Sequence, residues 1–520
     1  MSGSILVQEQ IKNIRSNLYM INNILYQNPI LTGFHADPSI CRVGKDFYLA
    51  VSSFLFFPGI PVYHSRDLLN WEQIGNAVNF NNPVNYEGMK ETGGIWAPTL
   101  RFHDGVFYLT AAVEGFGNFI IHAENPAGPW SEPVWIPVGG VDPDLYWEDG
   151  KLYYSTNERC GCTRESISMG VVDPFTGEIK EPFRPIWHGS GGPHLEAPHV
   201  YHIGGWYYLM AAEGGTAANH MITISRSRTI WGEYEACPNN PILSNRDDAR
   251  HEIYGTGHGD LVEDENGNWW MVCLGTRTAR RTMSHLGRET FLMPVHWEEE
   301  WPVCGTVQGD GEVRDISVHM KEQGPIPVAE KTESKSLKIL EDTFKDSRWP
   351  HFWHFPGNPD MSQYERNQGR LIIRPQGKMA VILTPQADFN CCISADAEHK
   401  GADCGLILYH MKDFYYRFGL HRDCEGGYRI SVQICIEDIT STLAELPWSQ
   451  ANVHLCILAD KERYHFYYDK DKELTSFTTR YLSNEVVGRS FTGTMAGVYA
   501  EGKEDNSDAY AIVKQFKMTY

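Results

Sequence analysis

Residues 191–216 read GGPHLEAPHVYHIGGWYYLMAAEGGT, and the layout of this stretch decides the fold because it recurs along the chain. Glu196 precedes an apolar strand, glycines at 204–205 turn the chain, and an aromatic strand follows at 206–210. A carboxyl group at the head of a buried strand is costly unless it is hydrogen-bonded, paired or used in chemistry. A single acid of this kind would be interpreted as a structural cap, but its repetition favours a functional role.

Tight Gly or Asp/Asn turns, each followed by a short aromatic strand, occur five times after residue 28. One aromatic residue anchors each repeat, and successive anchors are 46 to 62 residues apart. The anchors are Phe47, Phe107, Tyr153, Tyr207 and Trp269. Hairpins that repeat at such intervals are typical of propeller blades. The sequence therefore predicts an all-β chain in which residues 28–320 form a five-bladed β-propeller.

The regions on either side of these repeats have different patterns. Residues 1–27 place apolar side chains at alternating spacings of four and three, which predicts a short N-terminal helix. Residues 321–338 have the composition of a linker. Residues 339–520 alternate apolar and polar side chains, which predicts a second all-β domain, a β-sandwich.

Composition restricts the partners and the compartment. The 520 residues carry a net charge of −21 that is spread along the chain, which disfavours nucleic acid and membranes as partners and favours a neutral ligand. No apolar run approaches membrane-spanning length, and the N-terminus lacks the pattern of a secretory signal. The twelve cysteines show no metal-ligand spacing, so reduced thiols are expected. These features predict a cytoplasmic protein.

Ten or eleven residues before each aromatic anchor lies the head of the innermost strand of a predicted blade. These strands line one channel and run the same way, so their heads converge at one mouth. The residues there are Asp37, Trp96, Asp142, Glu196 and His258. Three carboxyl groups beside an aromatic ring suit glycoside hydrolysis, in which one carboxylate activates water and a protonated carboxyl donates to the leaving oxygen. A ring of structural acids and a divalent-cation site with oxygen ligands are the alternatives.

Residues 28–303 resemble glycoside hydrolase family 43, the five-bladed β-propeller pentosidases that include β-xylosidases and α-L-arabinofuranosidases. The resemblance rests on segments in the expected order: NPILTGFHADPSI, GGIWAPTL, GGVDPDLY, LEAPHVY, GHGDLV and LGRETFL. The C-terminal region resembles the concanavalin A-like β-sandwich of the xylosidase-type members.

The resemblance implies a role for each polar residue of the site. Asp37 would be the general base and Glu196 the general acid, while Asp142 would be the third carboxylate that tunes and orients the acid. An ionised neighbour disfavours ionisation of the acid and keeps it protonated. Arg288 would contact the sugar in the innermost subsite, and its alternative role is a salt bridge to Glu289 or another carboxylate.

The resemblance also implies the apolar walls and a metal. Trp96 and Phe54 would form the walls of the sugar pocket. His258 matches a histidine that contacts a structural Ca²⁺ on the propeller axis in several relatives, whereas a lone buried histidine more often only forms hydrogen bonds. The chemistry itself requires no cofactor.

Together these features predict an inverting exo-glycoside hydrolase. It would release terminal α-L-arabinofuranosyl or β-D-xylosyl residues from (arabino)xylan-derived oligosaccharides during xylan degradation. The acid lies in LEAPH rather than the EGPH of some xylosidase members, which leaves the preferred sugar open. The alternatives are a non-catalytic sugar-binding propeller with a sandwich module, against which the three acids argue, and a propeller glycosyltransferase or phosphorylase, for which no phosphate-binding glycine loop is visible.

Three further points concern the rest of the chain. A loop from residues 340–520 is expected to close the pocket of an exo-enzyme, with residues 352–355 and Tyr499 as candidates. Self-association through the N-terminal helix or the sandwich stays open. Glu114 and Phe116, which follow the aromatic strand of the second repeat, have no role that the sequence explains.

Overall fold

The computed structural model describes residues 23–90, 92–248, 250, 252–279, 283–307, 314–325, 338–488, 490–502 and 508–520. Most ordered segments in these ranges are β-strands. The short helical turns are Met361–Gln363, Thr479–Leu482 and Asn484–Val487. Within the described ranges, no helix has the length and apolar character needed to cross a membrane.

Residues 39–304 form five four-stranded antiparallel sheets that follow one another in chain order and are numbered 1 to 5 here. Sheet 1 contains Ser39–Val43, Asp46–Ala50, Gly59–Ser65 and Glu72–Val78. Sheet 2 contains Ile95–His103, Val106–Val113, Gly117–Ala123 and Val134–Ile136. Sheet 3 contains Asp144–Glu148, Lys151–Thr156, Ile167–Val172 and Ile179–Trp187. Sheet 4 contains Glu196–Ile203, Trp206–Glu213, Met221–Ser227 and Glu235–Ala236, and sheet 5 contains Ile253–Glu263, Trp269–Arg277, Glu289–Glu298 and Trp301–Cys304.

Each aromatic anchor of the sequence repeats lies on the second strand of one sheet. The turns before these strands are formed by residues that tolerate the left-handed region. Asp104 and Gly105, for example, have φ of 48° and 85°, which is the pair of positive values that a two-residue hairpin turn requires. The local turn chemistry therefore determines where each first hairpin reverses.

The first strands of the five sheets contact one another in a closed cycle, in which sheet 5 returns to sheet 1. A buried polar network joins these strands. Arg101 of sheet 2 donates to Asp260 of sheet 5 at 2.7 Å and to Asp144 of sheet 3 at 2.9 Å. Ser39 of sheet 1 and Tyr201 of sheet 4 each donate to Asp260 at 2.7 Å. Every sheet thus contributes one group to the network, which satisfies charges that would otherwise be costly to bury.

Residues 23–27 form a strand, Asn23–Gln27, rather than the end of the predicted helix, and pair antiparallel with Lys321–Pro325. Tyr26 explains the difference, because its ring packs against Trp270 at 6.2 Å between centroids and its hydroxyl donates to Leu292 O at 2.8 Å. Tertiary burial therefore overrides the local periodicity. Residues 1–22 of the predicted helix and 326–337 of the predicted linker lie outside the described residues.

The C-terminal region forms two antiparallel sheets. The eight-stranded sheet contains Ile339–Asp342, Tyr364–Arg366, Leu371–Ile373, Cys391–Lys400, Asn452–Ala459, Arg463–Tyr468, Lys472–Thr478 and Tyr510–Thr519. The six-stranded sheet contains Met379–Pro385, Asp403–Met411, Phe414–Arg422, Tyr428–Ile436, Ile439–Trp448 and Met495–Glu501. One apolar core joins them, with Ile393 and Phe466 from the first sheet and Phe418 from the second fully buried.

The C-terminal sheets dock against the ring of sheets 1 to 5. Phe355–Pro356 pairs with Phe56–Phe57, which follows the second strand of sheet 1. The backbone of Thr494 donates to His285 O at 2.8 Å, next to sheet 5. The C-terminal sheets therefore contact the end of the ring at which the first strand of each sheet begins. Outside this contact, a further short strand pair, Thr306–Val307 with Arg314–Asp315, follows the last strand of sheet 5.

Candidate active site

Three of the five residues predicted to converge share an uncommon backbone conformation. Asp37, Asp142 and His258 have φ of 55°, 53° and 47°. Ala197, which directly follows Glu196, has φ of 53°, and the pairing of this strand with its neighbour is interrupted there. Residues other than glycine rarely adopt positive φ, and those that do cluster at functional sites. The strand heads are therefore bent so that their side chains face one another.

Asp37 is almost completely buried, with 3% of its surface exposed, and forms a two-pronged salt bridge with Arg288. Nη1 of Arg288 lies 2.7 Å from Oδ1 of Asp37, and Nη2 lies 3.1 Å from Oδ2. Burial alone would raise the pKa of Asp37, but the charge of Arg288, helped by the Ser52 hydroxyl, lowers it below its ordinary value. Asp37 is therefore ionised at neutral pH, as a base that activates water must be.

The pKa of Glu196 is shifted in the opposite direction. Burial, followed by the negative charge of Asp37, raises the pKa of Glu196 to about 7, although Arg288 opposes the shift. The pKa of Asp142 is also shifted upward, by burial first and then by Glu196 and Asp37. A buried carboxyl group with a pKa near 7 holds a proton that it can donate at neutral pH. The site thus contains one ionised acid and a neighbouring acid that retains its proton.

Asp37 adds to the repulsion that was expected from Asp142. The negative charge of Asp37 raises the pKa of Glu196, and Glu196 and Asp142 also repel each other, because the charge of Glu196 raises the pKa of Asp142. Asp142 accepts a backbone hydrogen bond from Ala197, the residue after Glu196. This contact indicates that Asp142 fixes the bent segment that carries the acid.

The apolar wall consists of stacked aromatic rings. Phe54 stacks on Phe491 with 5.6 Å between centroids and 23° between planes. The guanidinium of Arg288 lies 5.5 Å from the centroid of each ring, and its Nε donates to Phe491 O at 3.2 Å. Trp96 is half-buried against the same aromatic cluster. The structure therefore brings all the predicted site residues into one region.

Comparison with known proteins shows the family to which the chain belongs. Residues 26–302 match the model of glycosyl hydrolases family 43, and residues 341–519 match that of the β-xylosidase C-terminal concanavalin A-like domain. The chain belongs to glycoside hydrolase family 43. It is a glycoside hydrolase whose two matched regions correspond to the ring of sheets and the C-terminal pair of sheets.

Similar proteins span nearly the whole of this family 43 hydrolase. A non-reducing end α-L-arabinofuranosidase of Bacteroides ovatus is 39% identical, over 92% of this chain and 91% of the relative. A xylosidase/arabinosidase of Butyrivibrio fibrisolvens is 32% identical, over 95% of this chain and 99% of the relative. The solved structure of Bacteroides ovatus Xyloglucan PUL GH43B superposes with a TM-score of 0.86 at 37% identity, covering 95% of this chain and 99% of that one.

Phe491 is the functional residue that sequence reasoning missed. The candidates for closing the pocket were residues 352–355 and Tyr499, but Trp353 is buried in the core between the C-terminal sheets. Tyr499 is buried in the same apolar cluster as Phe54, and its ring contacts Arg417 rather than Arg288. Phe491 lies in the segment GRSFTGT, and an aromatic residue within such a small and polar segment is the signal that could have identified it.

The C-terminal domain also holds the segment that carries Arg288. Glu485 accepts from Ser284 N at 3.0 Å and from the Tyr254 hydroxyl at 2.6 Å. Of the alternative salt bridges of Arg288, the one to Glu289 is absent from the described contacts, because Glu289 pairs with Arg277 at 2.6 and 2.7 Å, whereas the one to another carboxylate is present, with Asp37. The contacts between the ring of sheets and the C-terminal domain therefore hold Arg288 in the site.

His258 faces the base rather than a metal-ligand set. Its Nδ1 lies 3.7 Å from Oδ1 of Asp37, and burial, with neighbouring charges, lowers its pKa to about 3, so the imidazole is neutral. In the described ranges, no three His, Cys, Asp or Glu residues are grouped closely enough to hold a metal ion. Ca²⁺ prefers oxygen ligands, and the nearby carboxylates of Asp144 and Asp260 already bind Arg101. These residues do not fit a Ca²⁺ ion held by protein ligands.

Proposed function

We propose that this family 43 hydrolase is an inverting exo-enzyme that releases terminal α-L-arabinofuranosyl or β-D-xylosyl residues from (arabino)xylan-derived oligosaccharides. The proposal depends mainly on the opposite pKa shifts of two neighbouring acids: the pKa of Asp37 is lowered, and that of Glu196 is raised to about 7. A glycoside hydrolase with two catalytic carboxyl groups needs one of them ionised and the other protonated at the same time, and membership of family 43 supports the inverting outcome. The names of the relatives support the choice of these two sugars.

The proposed reaction is a single displacement. Asp37 accepts a proton from a water molecule, whose oxygen attacks the anomeric carbon as the bond to the leaving oxygen breaks. Glu196 donates its proton to that leaving oxygen, so the products are a sugar of inverted configuration and a shortened chain. Asp37 ends protonated and Glu196 ionised, and exchange with solvent restores both. No step is routed through a metal.

Arg288 has one donor to spare for the sugar. Its hydrogen bonds within the described residues go to Asp37, Thr216 and Phe491 O and use four of its five N–H groups. The remaining N–H, on Nη2, lies beside the base. We therefore assign it to a hydroxyl group of the terminal sugar, which places the anomeric carbon near Asp37.

The architecture proposed for this site is a five-bladed β-propeller whose blades are sheets 1 to 5. Support comes from the four-stranded form of each sheet and from the closed cycle of contacts between first strands. The exo preference is supported by the wall that Phe54 and Phe491 form over one side of the site. A wall of this kind leaves room for a terminal sugar and blocks a chain from passing through on that side.

Initial rates on an aryl β-D-xyloside and an aryl α-L-arabinofuranoside test the proposal. Hydrolysis of at least one of them is expected, and the faster reaction identifies the preferred sugar. If the protein binds these glycosides but releases no aryl alcohol from either, the non-catalytic sugar-binding alternative is correct.

A further inference from the structure

Two large aromatic side chains lie exposed side by side at the outer part of sheet 2. Phe116 is 53% exposed and Trp135 is 41% exposed, and their ring centroids are 6.3 Å apart with 34° between the planes. The fully buried Phe119 supports the Trp135 ring from behind, at 5.6 Å in an edge-to-face arrangement. Trp135 is therefore held in place while part of its surface faces solvent. We call this pair the aromatic platform.

The hydrogen bonds of neighbouring residues place the platform at the mouth of the site. The backbone of Glu114 donates to Gly94 O at 3.1 Å, two residues before the wall residue Trp96. On the other side, Nδ2 of Asn118 donates to Gly139 O at 3.1 Å, in the segment that leads to Asp142. The turn that carries Phe116 is thus fixed to two segments that themselves carry site residues.

Among the described residues, Phe116 and Trp135 keep 53% and 41% of their surface exposed, so the described part of the C-terminal domain does not cover this side of the mouth. Phe491 contacts Phe54, which follows the second strand of sheet 1, and Arg288, which precedes the third strand of sheet 5. Sheets 1 and 5 are neighbours in the cycle of contacts between first strands, whereas the aromatic platform belongs to sheet 2. An exo-enzyme holds only the terminal sugar in its pocket. The rest of the substrate must therefore extend out of the pocket on a side that is open to solvent.

We infer that the aromatic platform binds the leaving-group side of a neutral oligosaccharide, beyond the sugar next to the scissile bond. This inference rests on the proposed function and extends it to substrate length. Flat apolar rings at the surface suit the apolar faces of sugar rings, and exposed aromatic patches beside a site mark ligand contacts. The net charge of −21 is compatible with an uncharged carbohydrate. The platform also gives a role to Phe116, which the sequence left without one.

The test compares one short and one long substrate in variants of the platform. Phe116→Ala, Trp135→Ala and the double variant are assayed on an aryl glycoside of the preferred sugar and on oligosaccharides of two to five units that end in it. We expect kcat/KM for chains of three or more units to fall about five- to tenfold in the double variant, because a stacked ring contributes that order of affinity. The aryl glycoside, which is too short to reach the platform, should be hydrolysed at the rate of the unmodified protein.

A matched control is Tyr481→Ala. Tyr481 is 40% exposed and lies in the helical turn Thr479–Leu482 of the C-terminal domain, so its removal takes away an exposed ring outside sheets 1 to 5. This control substitution should change neither the rate on the aryl glycoside nor the rate on the oligosaccharides. Thermal unfolding of each variant shows whether it is folded, and the single variants replace the double variant if the latter is not.

Equal kcat/KM ratios of long to short substrate in all variants would overturn the inference. It is also overturned if the double variant only dissociates an oligomer in size-exclusion chromatography and keeps the ratio, because the platform would then be a contact between copies. Failure of the proposed function is distinguishable, since the unmodified protein would then hydrolyse neither aryl glycoside. In that case, affinities for a four-unit xylo-oligosaccharide decide: a loss in the double variant but not in Tyr481→Ala supports the platform, and equal affinities refute it.

Discussion

Replacing Glu196 with glutamine should stabilise the protein at alkaline pH much more than at acidic pH. The reason is that the folded structure raises the pKa of Glu196 from 4.5 to about 7, through burial first and then through the charge of Asp37. A carboxyl group whose pKa is raised by folding ionises more readily in the unfolded chain. The folded state therefore loses stability as the pH rises from the unfolded pKa towards the folded one.

The size of the effect follows from these two values. With a pKa of 4.5 in the unfolded chain and about 7 in the folded protein, ionisation of Glu196 costs about 0.8 kcal/mol at pH 5 and about 3.3 kcal/mol at pH 8. Glutamine cannot ionise, so Glu196→Gln removes this cost. The difference between the two conditions, about 2.5 kcal/mol, should raise the melting temperature at pH 8 by about 2–4 °C beyond any gain at pH 5, the smaller value applying if all 520 residues unfold together.

Thermal unfolding of the two proteins at pH 5 and pH 8 measures this difference. The exposed Glu87→Gln provides a control that removes the same charge without a buried site, and it should change both melting temperatures equally and little. The reasoning is refuted if Glu196→Gln gives the same gain at both pH values, or a larger gain at pH 5. The same substitution removes the proton donor, so a more stable and less active variant is the expected outcome.

Four further predictions concern catalysis. Glu196→Gln should lower kcat by about 10²–10⁴ on substrates with poor leaving groups and less on activated aryl glycosides, and equal losses would contradict its role as acid. In the unmodified enzyme, kcat/KM should fall as the pH rises through about 7, when Glu196 loses its proton. Asp142→Asn should lower kcat and shift this basic limb to lower pH, because the repulsion between Asp142 and Glu196 disfavours ionisation of the acid; an unmoved limb would show that Asp142 only positions the acid. Phe491→Ala should lower kcat/KM about tenfold or more on aryl glycosides by opening the pocket, whereas Tyr481→Ala, which removes an exposed aromatic residue of the same domain, should not.

The repeated features of this protein could be predicted from its sequence because they depend on local chemistry. Turn residues and aromatic anchors recur at fixed positions, so Asp37, Asp142, Glu196 and His258 could be assigned to equivalent strand heads. Alternation of apolar residues such as Ile430 and Val432, both fully buried, likewise predicted the strands of the C-terminal domain.

What could not be predicted depends on contacts between distant parts of the chain. Phe491 meets Arg288 across 203 residues, and no local pattern indicates this contact. The same holds for Tyr26, whose burial turns an apparent helix end into a strand. The identity of the charge that acts on Glu196 depends on distances between side chains, and the spacing of acids in the sequence does not contain these distances.

The configuration of the first sugar released tests the central claim most directly. The claim is that Asp37 activates water while Glu196 donates a proton in one displacement, and such a reaction inverts the anomeric carbon. Proton NMR during the first minutes of hydrolysis, before the free sugar equilibrates, distinguishes the two anomers. A β-D-xyloside should release α-D-xylose first, and an α-L-arabinofuranoside should release β-L-arabinose first. Release of the retained anomer from the preferred substrate would mean that Asp37 acts as a nucleophile and would contradict the account.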